Sequence, residues 1–385
     1  MLTVAKRLIS FQADIDLKNM ANVPDSGQHH HPAISVVMPT FNDGEYLREA
    51  IDSILNQTFL DFEFIIINDG STDDTEEIIS SYKDDRIRYL KNDSNLGNTI
   101  TRNKGMDLAK GKYIAIMDSD DISVPGRLAL QFEYLEKHPE IGILGGSKIF
   151  FDDHSWFYRH YPTKPEYIKS FLFFKNPVGQ PTVMLRREII TEHELYYNPE
   201  YENGEDFDFW YRAALKDVRI ANLKDVLLYY RQSKSQMSHP SNSVVTIETL
   251  KTYFRDKLDL FDIKLSDEEF VLLHNFIRGR VDVSAQQYQL VDSLLIGIFD
   301  ANIQKKIFDT TAFRSVIFAN RIRLLKYAYL EKGKLFPFIR TGFYLLGETG
   351  FRSLWQFWIN EGKYGRSFGA SKTYSSVLPF QADNT

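Results

Sequence analysis

Three short segments of this chain gather side chains able to handle charge: Asp118-Ser119-Asp120-Asp121, Asn68-Asp69-Gly70-Ser71 and Pro39-Thr40-Phe41-Asn42-Asp43. Carboxylates crowded together repel one another unless a cation sits among them. A donor set made only of oxygen suits Mg²⁺ or Mn²⁺ bridging a diphosphate. Another reading stays open for the first segment, in which Asp118 to Asp121 merely cap the helix preceding Pro125, since Asp is common at helix starts. His29, His30 and His31 are a further candidate set. Consecutive loop residues rarely converge on one ion, so they read as a solvated tract.

The acid segments follow short apolar runs. Ile34–Met38, Phe62–Ile67 and Tyr113–Met117, together with Ile87–Leu90, read as buried strands because they are brief, apolar and bounded by polar turns. Helical patterns lie between them. Asn42 with Glu45, and Asp73 with Glu76, have the spacing of capping boxes. Strands alternating with helices over about a hundred residues predict an α/β fold with a parallel, doubly wound sheet, whose ligands bind at the carboxyl ends of the strands. The acids then share one rim.

Composition narrows the field. At 385 residues and 43% hydrophobic content the chain is long enough for a core plus an appended region, so two units are expected. A formal net charge of -6 argues against a general nucleic-acid binder, whose affinity comes from a basic surface over phosphates. With no cysteine there is no disulfide, thiolate site or cysteine nucleophile, and chemistry falls to carboxylates, His, Lys and hydroxyls. No apolar run approaches the roughly 20 residues that span a bilayer, and a cytoplasmic location is expected.

Along the chain, residues 1–32 read as an N-terminal arm and linker, in which Val4 to Phe11 mixes basic and apolar residues as a surface-lying helix or a docking arm would. The regular alternation covers 33–146, aromatic-rich irregular sequence covers 147–240, helical periodicity covers 241–368, and 369–385 is a polar, disordered tail.

Residues 34 to 146 resemble the donor-binding half of glycosyltransferase family 2, which has a GT-A fold. The resemblance rests on Ser35-Val36-Val37-Met38-Pro39-Thr40-Phe41-Asn42, Ser53-Ile54-Leu55-Asn56-Gln57-Thr58-Phe59 and Asn68-Asp69-Gly70-Ser71-Thr72-Asp73. It continues through Asn95-Leu96-Gly97, Arg102-Asn103-Lys104-Gly105, Ala109 to Ile114 and Asp118-Ser119-Asp120-Asp121. It implies that Pro39, Thr40, Phe41 and Asn42 line the nucleoside pocket, that Asp69 beside Gly70 accepts a hydrogen bond from the base, and that Asp118, Ser119, Asp120 and Asp121 form the DxD-type motif. In that motif Asp118, Asp120 and Asp121 hold Mn²⁺ or Mg²⁺ and the ribose or diphosphate. Arg102 and Lys104 either add positive charge near the phosphates or lie on the helix surface. Asn68 stands where the family usually has a second Asp.

The resemblance runs more loosely to Ser238. Gln180 replaces a frequent His, and Glu205-Asp206-Phe207-Asp208-Phe209-Trp210-Tyr211-Arg212 matches the family's ED-containing segment, which makes Asp206 the expected general base and Glu205 the second choice. A plain helix cap is the alternative for these acids. Near Tyr230-Arg231 the usual His position holds Ser233, with His239 close by.

The implied activity is inverting transfer from a nucleoside-diphosphate sugar, a UDP-sugar, to a hydroxyl of a saccharide or lipid-linked acceptor in bacterial surface-polysaccharide synthesis. A nucleotidyltransferase and a non-catalytic sugar-nucleotide-binding module are the rivals, and neither a glycine-rich phosphate loop nor a G-x-G-x-x-G fingerprint supports the first. From Lys305 to Arg366 basic residues interleave with large aromatics. That pattern reads either as a surface for an anionic membrane face, placing the enzyme peripherally on the inner side of the cell membrane, or as a helical subdomain with its aromatics packed inward.

Overall fold

The computed structural model describes residues 31–152, 155–201, 204–232, 254–278, 284–330 and 365–367. Strands β1 (Ile34–Thr40), β2 (Phe62–Asn68), β3 (Ile87–Lys91) and β4 (Tyr113–Ile116) pair in parallel in the order β3-β2-β1-β4. Each is an element expected from its apolar run. The crossovers are α1 (Gly44–Leu55), α2 (Thr75–Ser81) and α3 (Asn98–Leu108). The sheet continues past β4 through β8 (Met184–Arg186), β6 (Ile143–Phe151), β7 (Trp156–His160) and β10 (Gly365–Ser367), now antiparallel from neighbour to neighbour. The long β9 (Ile220–Arg231) runs parallel to β6 and also pairs with the two-residue β5 (Ile122–Ser123).

Alternation along the strands divides the core into two layers, because successive side chains leave a strand on opposite faces. Val36, Met38, Phe64, Ile66 and Ala115 meet Leu47, Ala50, Ile51 and Ile54 of α1, Ile78 and Ile79 of α2, and Leu128 and Leu135 of α4 (Arg127–Lys137). Val37, Ile65, Ile67, Ile114 and Ile116 meet Met106 of α3 on the other face. That second layer also holds α5 (Pro165–Phe171), α6 (Glu188–His193), α7 (Glu205–Leu215), α8 (Asp267–Arg278), α9 (Ala285–Lys305) and α10 (Thr310–Leu325), joined by one continuous cluster. Helices therefore cover both faces, as a doubly wound sheet requires.

Arg127 opens α4 with its guanidinium fully buried. It donates to the Ile116 carbonyl (2.8 Å), to the Val183 carbonyl (3.3 Å) and to Gln131 Oε1 (3.0 Å), which pins the carboxyl end of β4 in place. Burial pulls it down to about 10.

The capping boxes read from the sequence do not form. Asp43 and Asp74, one residue beyond the expected positions, precede α1 and α2, and neither makes a side-chain cap bond. Asp73 instead accepts from the Gly44 and Thr75 amides, so it ties two loops together. A capping box does form at Ser284 and Gln287, ahead of α9.

In the described part of the C-terminal region Phe308, Phe313 and Phe318 are buried in the core, Arg321 pairs with Asp292 (2.7 Å), and Lys305 pairs with Asp262. There the aromatics pack inward. The arm before residue 31, the tail after 367, Ser233, His239 and residues 331–364 lie outside the described residues. Among those described, no helix is long and apolar enough to cross a membrane.

Gly105 lies where α3 presses on β1. A Cβ there would sit 2.4 Å from Val37 Cγ1, on a side chain that is wholly buried. Helix propensity alone favours Gly105→Ala by about 1 kcal/mol. Overpacking should reverse that sign, with a net loss of about 1–2 kcal/mol by urea denaturation. A variant more stable than the parent would show that α3 is free to move off the sheet.

Candidate active site

The loops that follow β1 and β2 lock together. Asn42 has a positive φ of 54°, a conformation Asn tolerates better than most residues. Its N–H donates to Ser71 Oγ (3.0 Å), and its Oδ1 accepts from Thr72 N–H (2.8 Å). Thr40 is buried, its carbonyl accepts the Asp69 amide (2.9 Å), and Phe41 is 40% exposed on the rim. Gly70 has φ 75°, and a Cβ would lie 2.8 Å from the Ser94 carbonyl carbon, so glycine is required on both counts.

Asp69 is buried, and its carboxylate organises the next loop. Oδ1 accepts from Asn92 Nδ2 (2.7 Å) and Leu96 N–H (3.0 Å), and Oδ2 accepts from Gly97 N–H (2.9 Å). Asn68 Oδ1 accepts the Ser71 amide (2.8 Å). An amide serves there where the family has Asp, because the contact needs an acceptor and no charge.

After β4 the chain turns through Asp118 to Asp121 directly into β5. The segment does not cap a helix: α4 begins only at Arg127, preceded by Gly126. Asp118 and Asp120 are partly exposed, and Asp121 is fully buried. Asp121 Oδ1 accepts Arg231 N–H (2.9 Å), Oδ2 has no hydrogen-bond partner, and Arg231 Nε donates to the Asp120 carbonyl (3.0 Å). Burial, with repulsion from Asp120 and Asp118, pushes the Asp121 carboxyl well up. Asp43, bonded to Ser119 Oγ, is raised as well, chiefly by burial.

Across from this turn lies α7. Its N-cap is Gly204, and no side chain caps it. Glu205 and Asp206 therefore do not serve as the N-cap. Asp206 Oδ2 accepts from Asn176 Nδ2 (2.7 Å) and Oδ1 from Phe207 N–H (2.7 Å). Burial, then repulsion from Glu205, raises Asp206 to about 7. Asp208 pairs with Arg212 (2.7 Å) and Trp210 is fully buried, so these two anchor the helix.

Arg102 joins the two acid segments. It is 1% exposed, and its guanidinium donates to Asp118 Oδ1 (3.2 Å) and Glu205 Oε1 (3.4 Å) while lying 5.2 Å from the Tyr197 ring centroid. Burial opposes its charge, but Asp118, Tyr197, Glu205 and Asp206 outweigh that and leave it above its usual value. Of the two options read for Arg102, a place on the helix surface is excluded by its burial, while its contact with Asp118 sets its positive charge at the DxD-type turn. Lys104 donates to Asn92 Oδ1 (2.6 Å) and so serves the Asp69 loop.

The model for glycosyl transferase family 2 matches residues 35–193. An uncharacterized glycosyltransferase of Methanocaldococcus jannaschii is 37% identical over 241 residues, which cover 60% of this chain and 82% of the relative. The chain belongs to glycosyl transferase family 2. The enzyme is also 26% identical to the glycosyltransferase GlyG of Streptococcus pneumoniae over 78% of this chain and 98% of the relative. Its fold is like that of Staphylococcus aureus TarS, a structure solved with UDP-GlcNAc, at TM-score 0.51 and 19% identity, covering 76% of this chain and 88% of the other. It is a GT-A-like α/β glycosyltransferase.

The glycosyltransferase carries at its rim carboxylate oxygens of the kind a hard divalent cation takes. Asp118 and Asp120 offer oxygens at the partly exposed turn, while Asp121 lies beneath them with one buried, unpartnered oxygen. Among the described residues no three acidic or histidine side chains are gathered as a ready ligand set. Such a site fits Mg²⁺ or Mn²⁺ taking its remaining ligands from diphosphate and water.

Gln180, at the frequent His position, is buried and accepts from the Tyr197 hydroxyl (3.2 Å). Asn176, Lys148 and Arg231 were not singled out as site residues in the sequence, because strand pairing brings Lys148 and Arg231 to the acids and the loop after α5 brings Asn176.

Removing the guanidinium leaves two acids facing each other across a buried space. Arg102→Met should lower the unfolding free energy by about 2 kcal/mol, and denaturation at neutral pH reads it. An unchanged midpoint would mean the bridge contributes nothing to folding.

Proposed function

We propose that the enzyme inverts configuration as it moves a sugar from a UDP-sugar to a hydroxyl of a saccharide or lipid-linked acceptor, in the synthesis of a bacterial surface polysaccharide. The carrying observation is the single guanidinium of Arg102, within 3.4 Å of both the DxD-type turn and the ED segment. Donor diphosphate and acceptor hydroxyl would then meet within the reach of one side chain. The reading of the acceptor and pathway draws support from WfaP of Escherichia coli, named as a glucosyltransferase from UDP-Glc to a GlcNAc-diphosphoundecaprenol and 29% identical over 53% of this chain. TuaG of Bacillus subtilis, named as a putative teichuronic acid biosynthesis glycosyltransferase, is 28% identical over 54%.

On this reading Pro39, Thr40, Phe41 and Asn42 line the nucleoside side, and Asp69 beside Gly70 offers Oδ2, which takes only one protein donor, to the base. Asp118, Ser119 and Asp120 face the diphosphate, with Asp121 supporting the turn from below. A divalent cation held there neutralises charge growing on the departing diphosphate. Asp206 takes the proton of the acceptor hydroxyl as that oxygen bonds to the anomeric carbon and the bond to the diphosphate breaks. A base at about 7 is matched to neutral conditions, ionised enough to act and basic enough to accept.

Asp206→Asn keeps shape and removes basicity, so donor affinity should persist while transfer falls at least about a hundredfold. Equal loss of donor affinity would make Asp206 a donor-site residue. The raised carboxyl must lose its proton to work, so kcat should climb with pH to a midpoint near 7 and be about tenfold below its plateau one unit lower. A profile flat from pH 5.5 to 8 would remove Asp206 from this role. Asp120→Ala should abolish Mn²⁺-dependent binding of UDP-sugar by calorimetry with the fold intact; retained activity would rule out the metal assignment.

A further inference from the structure

Two neighbouring cations, of which Lys148 acts electrostatically on Asp206, have no part in the transfer just described. Lys148 on β6 is the direct register partner of Arg159 on β7. Like charges opposite one another in an antiparallel pair are destabilising. Here both settle on the same ring, with Lys148 Nζ 4.8 Å and Arg159 Cζ 4.4 Å from the Phe150 centroid. Lys148 is 6% exposed and its Nζ lies 3.7 Å from the Tyr230 centroid. Among the described residues neither cation makes an ion pair. Arg102 and Arg231, by contrast, are committed to Asp118, Glu205 and Glu49.

The backbone ties this pair to the acids. Asn176 donates to Asp206 and accepts from Val178 N–H (3.1 Å). One residue further, a Cβ on Gly179 would lie 3.5 Å from Lys148 Cε and 3.4 Å from the Tyr161 hydroxyl. On the other side Tyr230, beneath the ammonium, precedes Arg231, whose amide holds Asp121. Burial draws Lys148 down to about 8, and repulsion from Arg159 adds to that, against the pull of Asp121, Asp118 and Asp206. Two cations on paired strand positions, both over the Phe150 ring and without an ion pair among the described residues, are arranged to receive an anion from a ligand.

We propose that Lys148 and Arg159 form an oxyanion subsite that binds a carboxylate or phosphate on the acceptor saccharide, beside the hydroxyl that Asp206 deprotonates. This rests on the reading of Asp206 as the base. It makes the acceptor class anionic, a uronate or a phosphorylated sugar. The two cations then select the acceptor, since a neutral sugar leaves them unpaired.

The test uses the full chain saturated with Mn²⁺ and UDP, so that the diphosphate site is filled, titrated by calorimetry with glucuronate, glucose 1-phosphate and methyl glucoside. At least one anionic sugar should bind about tenfold more tightly than the neutral one, the scale of one added charge-assisted contact. The tighter of the two identifies carboxylate or phosphate as the natural group. Lys148→Met and, independently, Arg159→Gln should each erase the preference while moving the methyl glucoside affinity less than about twofold. Equal binding of all three sugars, or no binding, overturns the proposal. So does a variant that weakens anionic and neutral sugars alike, which would assign Lys148 to the support of Asp121 and Asp206. Release of UDP from a UDP-sugar panel by the parent enzyme is measured separately; its absence would defeat the transferase reading and leave the anion preference standing on its own.

Discussion

A cation without access to water, the Arg102 guanidinium, is the constraint on which the rest of the site depends. Placing it in the core is costly, and the two carboxylates in contact, with Tyr197 and Asp206 nearby, make it tolerable. Those carboxylates come from opposite halves of the sheet, Asp118 from the end of parallel β4 and Glu205 from the start of α7. The pair cannot form until both halves are folded. The interaction therefore couples assembly of the parallel strands to placement of α7, and it fixes the spacing between the Asp118 turn and the Glu205-Asp206 pair.

The same logic sets the neighbouring charges. Arg127 donates to the Ile116 carbonyl at the end of β4 and to the Val183 carbonyl just before β8, so its hydrogen bonds hold backbone. Arg231 closes the turn from the side, bonding the Asp120 carbonyl through Nε and Asp121 through its amide. With these groups in place the acids are pulled together before any ligand arrives. Burial has its own effect on three of them: the carboxyls of Asp121, Asp43 and Asp206 are all raised, each chiefly by desolvation. A divalent cation held by Asp118 and Asp120 would add fixed positive charge beside a diphosphate, the kind of preorganised stabilisation that lowers a barrier.

The parallel half of the fold was legible because its strands are short apolar runs that end in turn residues, and all four appear within two residues of the expected ends. The acid segments were legible for the same reason, since the carboxyl ends of those strands define the rim. Helix starts were not. Asn42 and Asp73 have capping-box spacing, but Asn42 has a left-handed backbone bonded to Ser71 and Thr72, and the Asp73 carboxylate is taken up by the Gly44 and Thr75 amides. Contacts between loops more than 25 residues apart outweighed local spacing. The choice between a site role and a surface role for Arg102 stayed open because nothing in Arg102-Asn103-Lys104 reveals which residue of the helix faces the core; burial removes the surface role. Lys148 and Arg159 were invisible, since their pairing exists only in the register of β6 against β7.

The helical region beyond the sheet bears directly on Asp206. Phe173, at the end of the irregular stretch, is ringed by Phe254, Phe261, Phe308 and Phe313 at centroid distances of 5.5 to 6.0 Å. Edge-to-face packing of this kind contributes beyond simple burial. Lys257 extends from the same cluster, donates to the Leu172 carbonyl (2.9 Å) and lies 3.5 Å from the Phe207 ring centroid. Phe207 is the residue whose amide bonds Asp206. The C-terminal helices thus press on the first turn of α7 from behind, while Asn176, two residues past Phe174, holds Asp206 from the front. A base raised to about 7 by burial stays raised only if water is kept from its flanks. Packing supplied from the C-terminal region is part of what sets the proton affinity of the group proposed to do the chemistry.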